Sequence, residues 1–170
     1  DWSSDVCSSD LKATGRAIFA AGCFWCVEAA FDEVPGVIRT TSGFVGGRTE
    51  HPTYEQVSAG GTGHAEAVEV IFDPKRTDYA HLLDVFWHNV DPLTAGRQFC
   101  DVGDQYRGAI FWLDEDQHRA ALASKEALER DGRLRGRIVT EIVPAGRFWP
   151  AEEYHQDYHR KNPARYRYYR

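Results

Sequence analysis

The sequence has no methionine, only four cysteines among 170 residues, and no excess of positive charge. No apolar run approaches the roughly 20 residues that a membrane-spanning helix needs, which argues against such a helix. A net charge of -6 at pH 7 argues against a general nucleic-acid binder, because contacts with phosphates need a basic surface. The hydrophobic fraction of 42% and the charged fraction of 27% are those of an ordinary globular protein, expected to form one domain with a sizeable core.

The first eleven residues repeat Ser-Ser-Asp and show neither helical nor strand periodicity. We interpret residues 1–11 as a non-native scar and expect a single domain over residues 12–170. Cys7 falls within the scar, so Cys23, Cys26 and Cys100 remain. An odd number of cysteines with one close pair is not typical of a secreted disulfide framework. It favours a reducing compartment, and we expect the cytoplasm.

Apolar periodicity predicts alternating strands and helices along the rest of the chain. The predicted strands are residues 16–21, 37–45, 65–72, 108–113 and 137–143. The predicted helices cover residues 23–34 and 53–58, a segment with Thr77 as its N-cap, and a segment ending at Arg130. Residues 91–107 are expected to form an irregular polar loop, and the tail from residue 148 to wrap the domain irregularly. The alternation favours an α/β or α+β layered domain with a mixed sheet.

The five residues Gly22-Cys23-Phe24-Trp25-Cys26 stand where a predicted strand turns into a predicted helix. Unpaired backbone N–H groups and the positive end of the helix dipole favour a thiolate at such a position. Two aromatic residues follow Cys23, and Cys26 is close enough in sequence to form a disulfide with it. This combination indicates redox chemistry. The alternative is a buried structural cysteine, which is common for this residue type.

A zinc site is a rival use of the two cysteines, but it would need two further ligands at matched spacing. His155 and His159 are four residues apart, as ligands on one helix face can be, but they lie in the distant aromatic tail. We therefore predict no metal.

Glu66 shares a face of its predicted strand with Val68, Val70 and Phe72. Burial on an apolar face disfavours the charged form of a carboxyl group, and a neutral carboxylic acid can donate a proton to an oxygen leaving group. The alternative is a carboxylate at a strand end that pairs with an arginine.

The polar segment 98–107 contains Cys100, Asp101 and Tyr106 before a predicted core strand. It is either a substrate wall, with Asp101 and Tyr106 as hydrogen-bonding groups, or a solvated connector. Cys100 is a second candidate for a resolving thiol, although we favour a small buried residue.

Four motifs occur in order along the chain. They are Gly22-Cys23-Phe24-Trp25, Gly63-His64-Ala65-Glu66, the run from Asp101 to Arg107, and the run from Pro150 to Tyr158. With them the chain resembles the A-type peptide methionine sulfoxide reductases over residues 16–170. The resemblance implies a ferredoxin-like two-layer core and stereospecific reduction of the S-sulfoxide of methionine, free or in proteins.

The resemblance also implies roles for individual residues. Cys23 is the implied nucleophile that attacks the sulfoxide sulfur, and Glu66 is the implied acid at the sulfoxide oxygen. The implied substrate-binding residues are Phe24, Trp25, Tyr54, Asp101 and Tyr106. Of these residues, Cys23 and Glu66 also follow from the reasoning above, whereas Tyr54 and Asp101 rest mainly on the family.

Many members of this family carry resolving cysteines near the C-terminus, but no cysteine follows Cys100 here. Cys26 replaces a common glycine, as in a subgroup with the motif Gly-Cys-Phe-Trp-Cys. We therefore expect Cys26 to resolve Cys23, with thioredoxin, or dithiothreitol in vitro, as the reductant. We expect no bound cofactor, no nucleic-acid or membrane partner, and a monomer.

Two other functions remain open. A general dithiol–disulfide oxidoreductase would use Cys23 and Cys26 to reduce disulfides in other proteins and would not need Glu66. A structural or peptide-binding domain would have an inert Cys23 with an ordinary thiol pKa near 8.5.

Overall fold

The structure is a computed structural model and describes residues 14–98, 101–134, 136–152 and 156. The scar predicted at residues 1–11 lies outside the described residues, as do Cys100, His155 and His159. In the part of the chain that is described, no helix is long and apolar enough to cross a membrane.

The helices and strands follow the predicted order closely. The strands are β1 (Gly15–Ala21), β2 (Val37–Val45), β3 (Ala65–Phe72), β4 (Arg97–Gln98), β5 (Asp101–Val102), β6 (Gly108–Trp112), β7 (Glu141–Pro144) and β8 (Trp149–Pro150). The helices are α1 (Phe24–Asp32), α2 (Tyr54–Ala59), α3 (Tyr79–Asn89) and α4 (Glu115–Arg130), and a 3-10 turn covers Asp104–Tyr106.

Six strands form one mixed sheet in the order β7-β6-β1-β3-β2-β8, and β4 and β5 form a separate two-stranded ladder. Neighbouring strands in the large sheet are antiparallel except β6 and β7, which are parallel. The inner order β6-β1-β3-β2, with α1 and α3 as crossover helices, is the ferredoxin-like arrangement. This confirms the predicted fold class.

The two faces of strand β3 pack into different apolar clusters, as its period of two predicts. Val68, Val70 and Phe72 belong to the larger cluster, which includes side chains of α1 and α3. Ala65 and Ala67 belong to a smaller cluster on the other face of the sheet. Because Glu66 alternates with Ala65 and Ala67, its side chain lies on the face that the helices cover.

The N-cap of α3 is Asp78 and not Thr77, so that prediction is wrong. The Asp78 side chain accepts a hydrogen bond from the His81 backbone N–H at 2.8 Å. The Thr77 hydroxyl is buried and finds no hydrogen-bond partner among the described residues. Both residue types can cap a helix. The Thr77 backbone N–H bonds to the Asp73 carbonyl, so Thr77 still belongs to the preceding turn and the helix is capped by the next residue, Asp78.

Three other segments differ from the sequence-based expectation. The loop at 91–107 contains the β4–β5 ladder and the 3-10 turn. The strand expected at 137–143 begins only at Glu141, because the Val139 N–H bonds to the carbonyl of Pro92 and not to a neighbouring strand. The tail expected to be irregular begins with β8, which pairs with the outer edge of β2. Most of the rest of the tail lies outside the described residues.

Gly22 makes the turn between β1 and α1 possible. Its φ of +94° lies in the left-handed region, which disfavours residues with a Cβ. A Cβ built on Gly22 would also lie 2.8 Å from the Cβ of Gln98, whose side chain is buried against this turn. The Gln98 amide is held in turn by the backbone N–H and carbonyl of Asp91. The turn that delivers Cys23 is therefore braced by a remote loop.

We expect Gly22→Ala to destabilise the protein more than Gly61→Ala. Gly61 has a similar φ of +85° but open space around the site of a Cβ, so it measures the conformational cost alone. That cost is about 1–3 kcal/mol, and the contact with Gln98 adds to it at Gly22. Urea denaturation of both variants measures the difference. Equal losses of unfolding free energy would show that Gln98 does not brace the turn.

Candidate active site

Cys23 is the N-cap residue of α1, as the sequence predicts. Its φ and ψ of -59° and 122° are not helical, and its carbonyl accepts the first helical hydrogen bonds, from Cys26 and Val27, at 3.1 and 3.3 Å. The side chain is buried, with 9% of the residue exposed. The strand, glycine turn and helix start therefore place this thiol at a fixed point on the rim of the core.

Glu66 lies beside Cys23 because β1 and β3 are antiparallel neighbours. Phe19 pairs with Val68, and continuing this register places Glu66 opposite Ala21, just before the Gly22 turn. Glu66 is only 1% exposed. Its Oε1 accepts a hydrogen bond from the Phe24 backbone N–H at 3.3 Å. The first N–H of α1, which no helical carbonyl can satisfy, is thus bound by a carboxyl group of the sheet.

The pKa of the Cys23 thiol is raised well above its ordinary value. A hydrogen bond with the Cys26 side chain is the main cause, followed by burial and by the charge that Glu66 carries when it is ionised. The Trp25 backbone N–H acts in the opposite direction but is outweighed. The helix N-terminus thus favours the thiolate of Cys23, as expected, but the Cys26 side chain, burial and Glu66 together outweigh it and favour the thiol. The same interaction brings the two thiols within hydrogen-bonding distance of each other.

An aromatic wall stands next to the thiol. Trp25 stacks on Tyr54 with ring centroids 6.1 Å apart, and Phe24 contacts Tyr54 at 6.1 Å and Phe44 at 5.8 Å. Phe24 is fully buried, whereas Trp25 and Tyr54 are partly exposed. Such an arrangement can bind a small apolar group, for example a methyl group on sulfur, beside Cys23.

Tyr54 is held at its position from both sides. Thr53 caps the helix α2 that Tyr54 begins, with reciprocal hydrogen bonds between Thr53 and Gln56. The Tyr54 backbone N–H donates to Oε1 of Glu152, which lies 98 residues away in the sequence, at 3.2 Å. The predicted short helix thus becomes one wall of the site through a contact with the C-terminal segment.

Tyr106 lies in the 3-10 turn, which packs against β3, the strand that carries Glu66. Arg107 anchors this turn, because its guanidinium donates to the Gly63 carbonyl at 3.0 Å and pairs with Glu141 at 2.9 Å. The backbone of Asp101 forms β5, but its side chain lies outside the described structure. The 3-10 turn with Tyr106 therefore contacts the strand that carries Glu66. The role of Asp101 stays a prediction.

The sequence reasoning missed Glu28, which is fully buried under β2. Its Oε2 accepts a hydrogen bond from the hydroxyl of Ser42, also fully buried, at 2.7 Å. The signal was present, because Glu28 continues the helical spacing of the buried residues Phe24, Val27 and Phe31. The contact fastens α1 to β2 five residues after Cys23 and two residues after Cys26.

His64, which belongs to the motif Gly63-His64-Ala65-Glu66, connects two segments close to Glu66. Its Nδ1 accepts from the Gly47 backbone N–H at 3.1 Å, so the proton is on Nε2, which donates to the Thr49 carbonyl at 2.7 Å. The ring is buried. It fastens the loop after β2 to the start of β3, two residues before Glu66.

No group of three or more histidine, cysteine or acidic side chains is placed to hold a metal ion among residues 14–98, 101–134, 136–152 and 156.

Comparisons with known proteins point to one family. The chain matches the peptide methionine sulfoxide reductase family over residues 15–170. It is 57% identical over 155 residues to the peptide methionine sulfoxide reductase MsrA of Methanothermobacter thermautotrophicus, an alignment that covers 91% of this chain and 92% of that protein.

Solved structures agree with this match. Methionine sulfoxide reductase A of Corynebacterium diphtheriae has a TM-score of 0.79 and 36% identity, over 89% of this chain and 76% of that one. Mxr1 of Saccharomyces cerevisiae in its reduced form has a TM-score of 0.83 and 29% identity, over 90% and 88%. Mxr1 has also been solved in complex with Trx2. That structure has a TM-score of 0.60 and 19% identity, over 91% of each chain, and shows likeness of fold.

We expect Cys26→Ala to lower the pKa of Cys23, because it removes the main cause of the upward shift. The midpoint of the pH profile for alkylation of Cys23 by iodoacetamide should then move to lower pH. Below the midpoint the thiolate fraction rises about tenfold for each unit of pKa lost. Tandem mass spectrometry of the peptide that contains Cys23 and Cys26 assigns the modification to one of the two residues and gives the rate at Cys23.

Cys26→Ser is the matched control, because its hydroxyl keeps a hydrogen-bonding group at the same position and should shift the midpoint less. A midpoint in Cys26→Ala that stays in place or rises would show that Cys26 does not hold Cys23 in its protonated form.

Proposed function

The chain belongs to the peptide methionine sulfoxide reductase family, and we propose that it reduces the S-epimer of methionine sulfoxide through Cys23, Glu66 and Cys26. The observation that carries the proposal is the meeting of three groups at the start of α1. A buried thiol, a buried carboxyl group bound to the next backbone N–H, and a second thiol within hydrogen-bonding distance lie beside an aromatic wall.

In the first step the sulfur of Cys23 attacks the sulfoxide sulfur, while the sulfoxide oxygen takes a proton from Glu66. Sulfoxide oxygen needs this proton to become a leaving group. Glu66 then recovers a proton from the thiol of Cys23, so the carboxyl group ends the step as it began. Transfer of the hydroxyl group to Cys23 releases methionine and leaves a sulfenic acid. The sulfoxide is reduced by two electrons and Cys23 is oxidised by two.

A thiol that is protonated at rest suits this step. Because Glu66 protonates the sulfoxide oxygen and takes up the proton of Cys23 in the same step, attack and protonation are linked, and no free thiolate has to form in the apolar site. Burial favours the neutral form of Glu66 for the same reason. Phe24, Trp25 and Tyr54 are proposed to bind the methyl group and side chain of the substrate. Tyr106 and Asp101 are proposed to assist at the oxygen.

In the second step the thiol of Cys26 condenses with the sulfenic acid, and water leaves as the Cys23–Cys26 disulfide forms. The two side chains already interact, but both backbones lie in one helical turn, so the first turn of α1 must open locally. The position of Cys26 supports the proposed assignment of the chain to the subgroup with the motif Gly-Cys-Phe-Trp-Cys. Cys100 is the reserve candidate for the resolving thiol.

An external dithiol then reduces the disulfide, and we propose thioredoxin for this role. The complex of Mxr1 with Trx2 supports the assignment, because Mxr1 shares the fold. A reducing compartment such as the cytoplasm is the proposed location. A monomeric state stays a prediction.

We expect the protein to reduce only the S-epimer of a blocked methionine sulfoxide when dithiothreitol is supplied. Cys23→Ser should abolish turnover. Glu66→Gln should lower kcat by about 100-fold or more, because an amide cannot supply the proton. Glu69→Gln is the matched control, because Glu69 lies on the other face of β3 and pairs with Arg16. The Glu69→Gln variant should reduce the S-epimer with the kcat of the unmodified protein. Chromatographic analysis of each epimer gives the rates.

The same assay separates the alternatives. If neither epimer is reduced and disulfides in other proteins are reduced instead, the chain is a general dithiol–disulfide oxidoreductase. If neither methionine sulfoxide nor a protein disulfide is reduced, the result supports the interpretation of the chain as a structural or peptide-binding domain.

A single-turnover experiment tests Cys26. Without reductant the protein should release one methionine per chain and form the Cys23–Cys26 disulfide. Cys26→Ser should also release one methionine but leave Cys23 as a sulfenic acid, which dimedone traps for mass spectrometry. A disulfide between Cys23 and Cys100 in this variant would show that Cys100 can resolve Cys23, and its formation at the unmodified rate would transfer that role to Cys100.

A further inference from the structure

A cleft of about 270 Å³ lies near the proposed active site but is not used by its chemistry. The residues that line it are His51, Pro52, Trp149, Pro150, Ala151 and Glu152. Four of these have apolar side chains, and the volume is slightly below that of sites for drug-sized ligands. The cleft therefore suits one amino-acid side chain.

The cleft and Glu66 lie in one row across the sheet. Glu66 of β3 pairs with Phe44 of β2, and Phe44 pairs on its other side with Trp149 of β8. Directly paired residues point to the same face, and neighbouring strands are about 4.8 Å apart. The backbone of Trp149 is therefore roughly 10 Å from that of Glu66, which an extended peptide spans in about three residues.

A second connection runs through Tyr54. Glu152, in the lining of the cleft, accepts a hydrogen bond from the Tyr54 backbone N–H, while the Tyr54 ring stacks on Trp25 at the proposed active site. A chain bound across Tyr54 would thus meet both sites. This hydrogen bond joins the lining of the cleft to the aromatic wall of the proposed active site.

The walls of the cleft are fixed in place. The His51 ring meets the Trp149 ring edge-on with centroids 4.5 Å apart, and His51 holds a left-handed φ of 48°. The Arg147 guanidinium lies 4.1 Å above the Trp149 ring. A rigid aromatic surface binds an apolar or aromatic side chain at low entropic cost.

From this geometry we propose that the cleft binds an aromatic side chain about three residues from the methionine sulfoxide of a peptide substrate. The proposal rests on the proposed function and makes peptides with such a residue preferred substrates. Glu152 and Arg147 bring charges of opposite sign to the cleft, so a charged side chain gains no net attraction there and loses its hydration. Free methionine sulfoxide does not reach the cleft, so it gains nothing from it.

The test compares peptides that contain one methionine sulfoxide and carry Phe, Ala, Lys or Glu at each of the four positions on either side. With dithiothreitol as reductant, a Phe peptide should show a kcat/KM about tenfold above that of its Ala counterpart at one position. The Glu peptide should fall below the Ala peptide there. Each rate is divided by that for free methionine sulfoxide with the same variant, which removes any general loss of activity.

His51→Gly and Trp149→Ala should reduce the Phe-to-Ala ratio to about one. Glycine readily adopts the left-handed backbone conformation of residue 51, so His51→Gly removes the ring without adding strain. This variant tests the proposal even if Trp149→Ala does not fold. Ile38→Ala is the control, because Ile38 is an exposed apolar residue at the opposite end of β2, and it should keep the ratio.

Three results would overturn the subsite. They are equal rates for Phe and Ala peptides at every position, a preference for Lys or Glu, and a Phe preference that persists in His51→Gly. In each of these the reduction of free methionine sulfoxide still stands, so the proposed function survives. Failure to reduce free and peptide-bound sulfoxide alike would overturn the proposed function and the subsite together.

Discussion

The hydrogen bond between Glu66 and the Phe24 backbone N–H joins the sheet to the start of α1, and the geometry of the site depends on it. An unpaired N–H in this buried position would cost about 1–3 kcal/mol, and a buried carboxyl group without a partner is also costly. The hydrogen bond lowers both of these costs. Because Cys23 is the residue just before Phe24, the bond that stabilises the helix start also holds the thiol beside the carboxyl group.

Burial both strengthens the polar interactions available to Cys23 and lowers the reactivity of its thiol. It excludes water and strengthens every polar interaction of the thiol, but together with Cys26 it also keeps the thiol protonated. A protonated thiol reacts slowly with general electrophiles and oxidants. In the proposed mechanism this restraint ends only when an oxygen that can accept a proton is bound. The pairing of Cys23 with Cys26 and Glu66 thus links reactivity to the presence of substrate.

Strand β2 connects the parts of the molecule that the function needs. Ser42 holds Glu28 of α1, and Phe44 lies between Glu66 on one side and Trp149 on the other. The site for chemistry and the proposed site for the peptide are consequently built on one row of paired residues. Sheet pairing fixes the distance between them far more rigidly than a loop could.

The sequence by itself determined the elements whose signals are local. The period of two in β3, the glycine before Cys23 and the apolar spacing of α1 placed Glu66 on the covered face and Cys23 at a helix start, and both predictions are confirmed. Only the tertiary structure decided how these groups interact. The raised pKa of Cys23 depends on side-chain contacts and burial, and β8 exists because a remote segment finds the free edge of β2. Such effects arise between segments far apart in the chain, and local periodicity does not encode the distances between them.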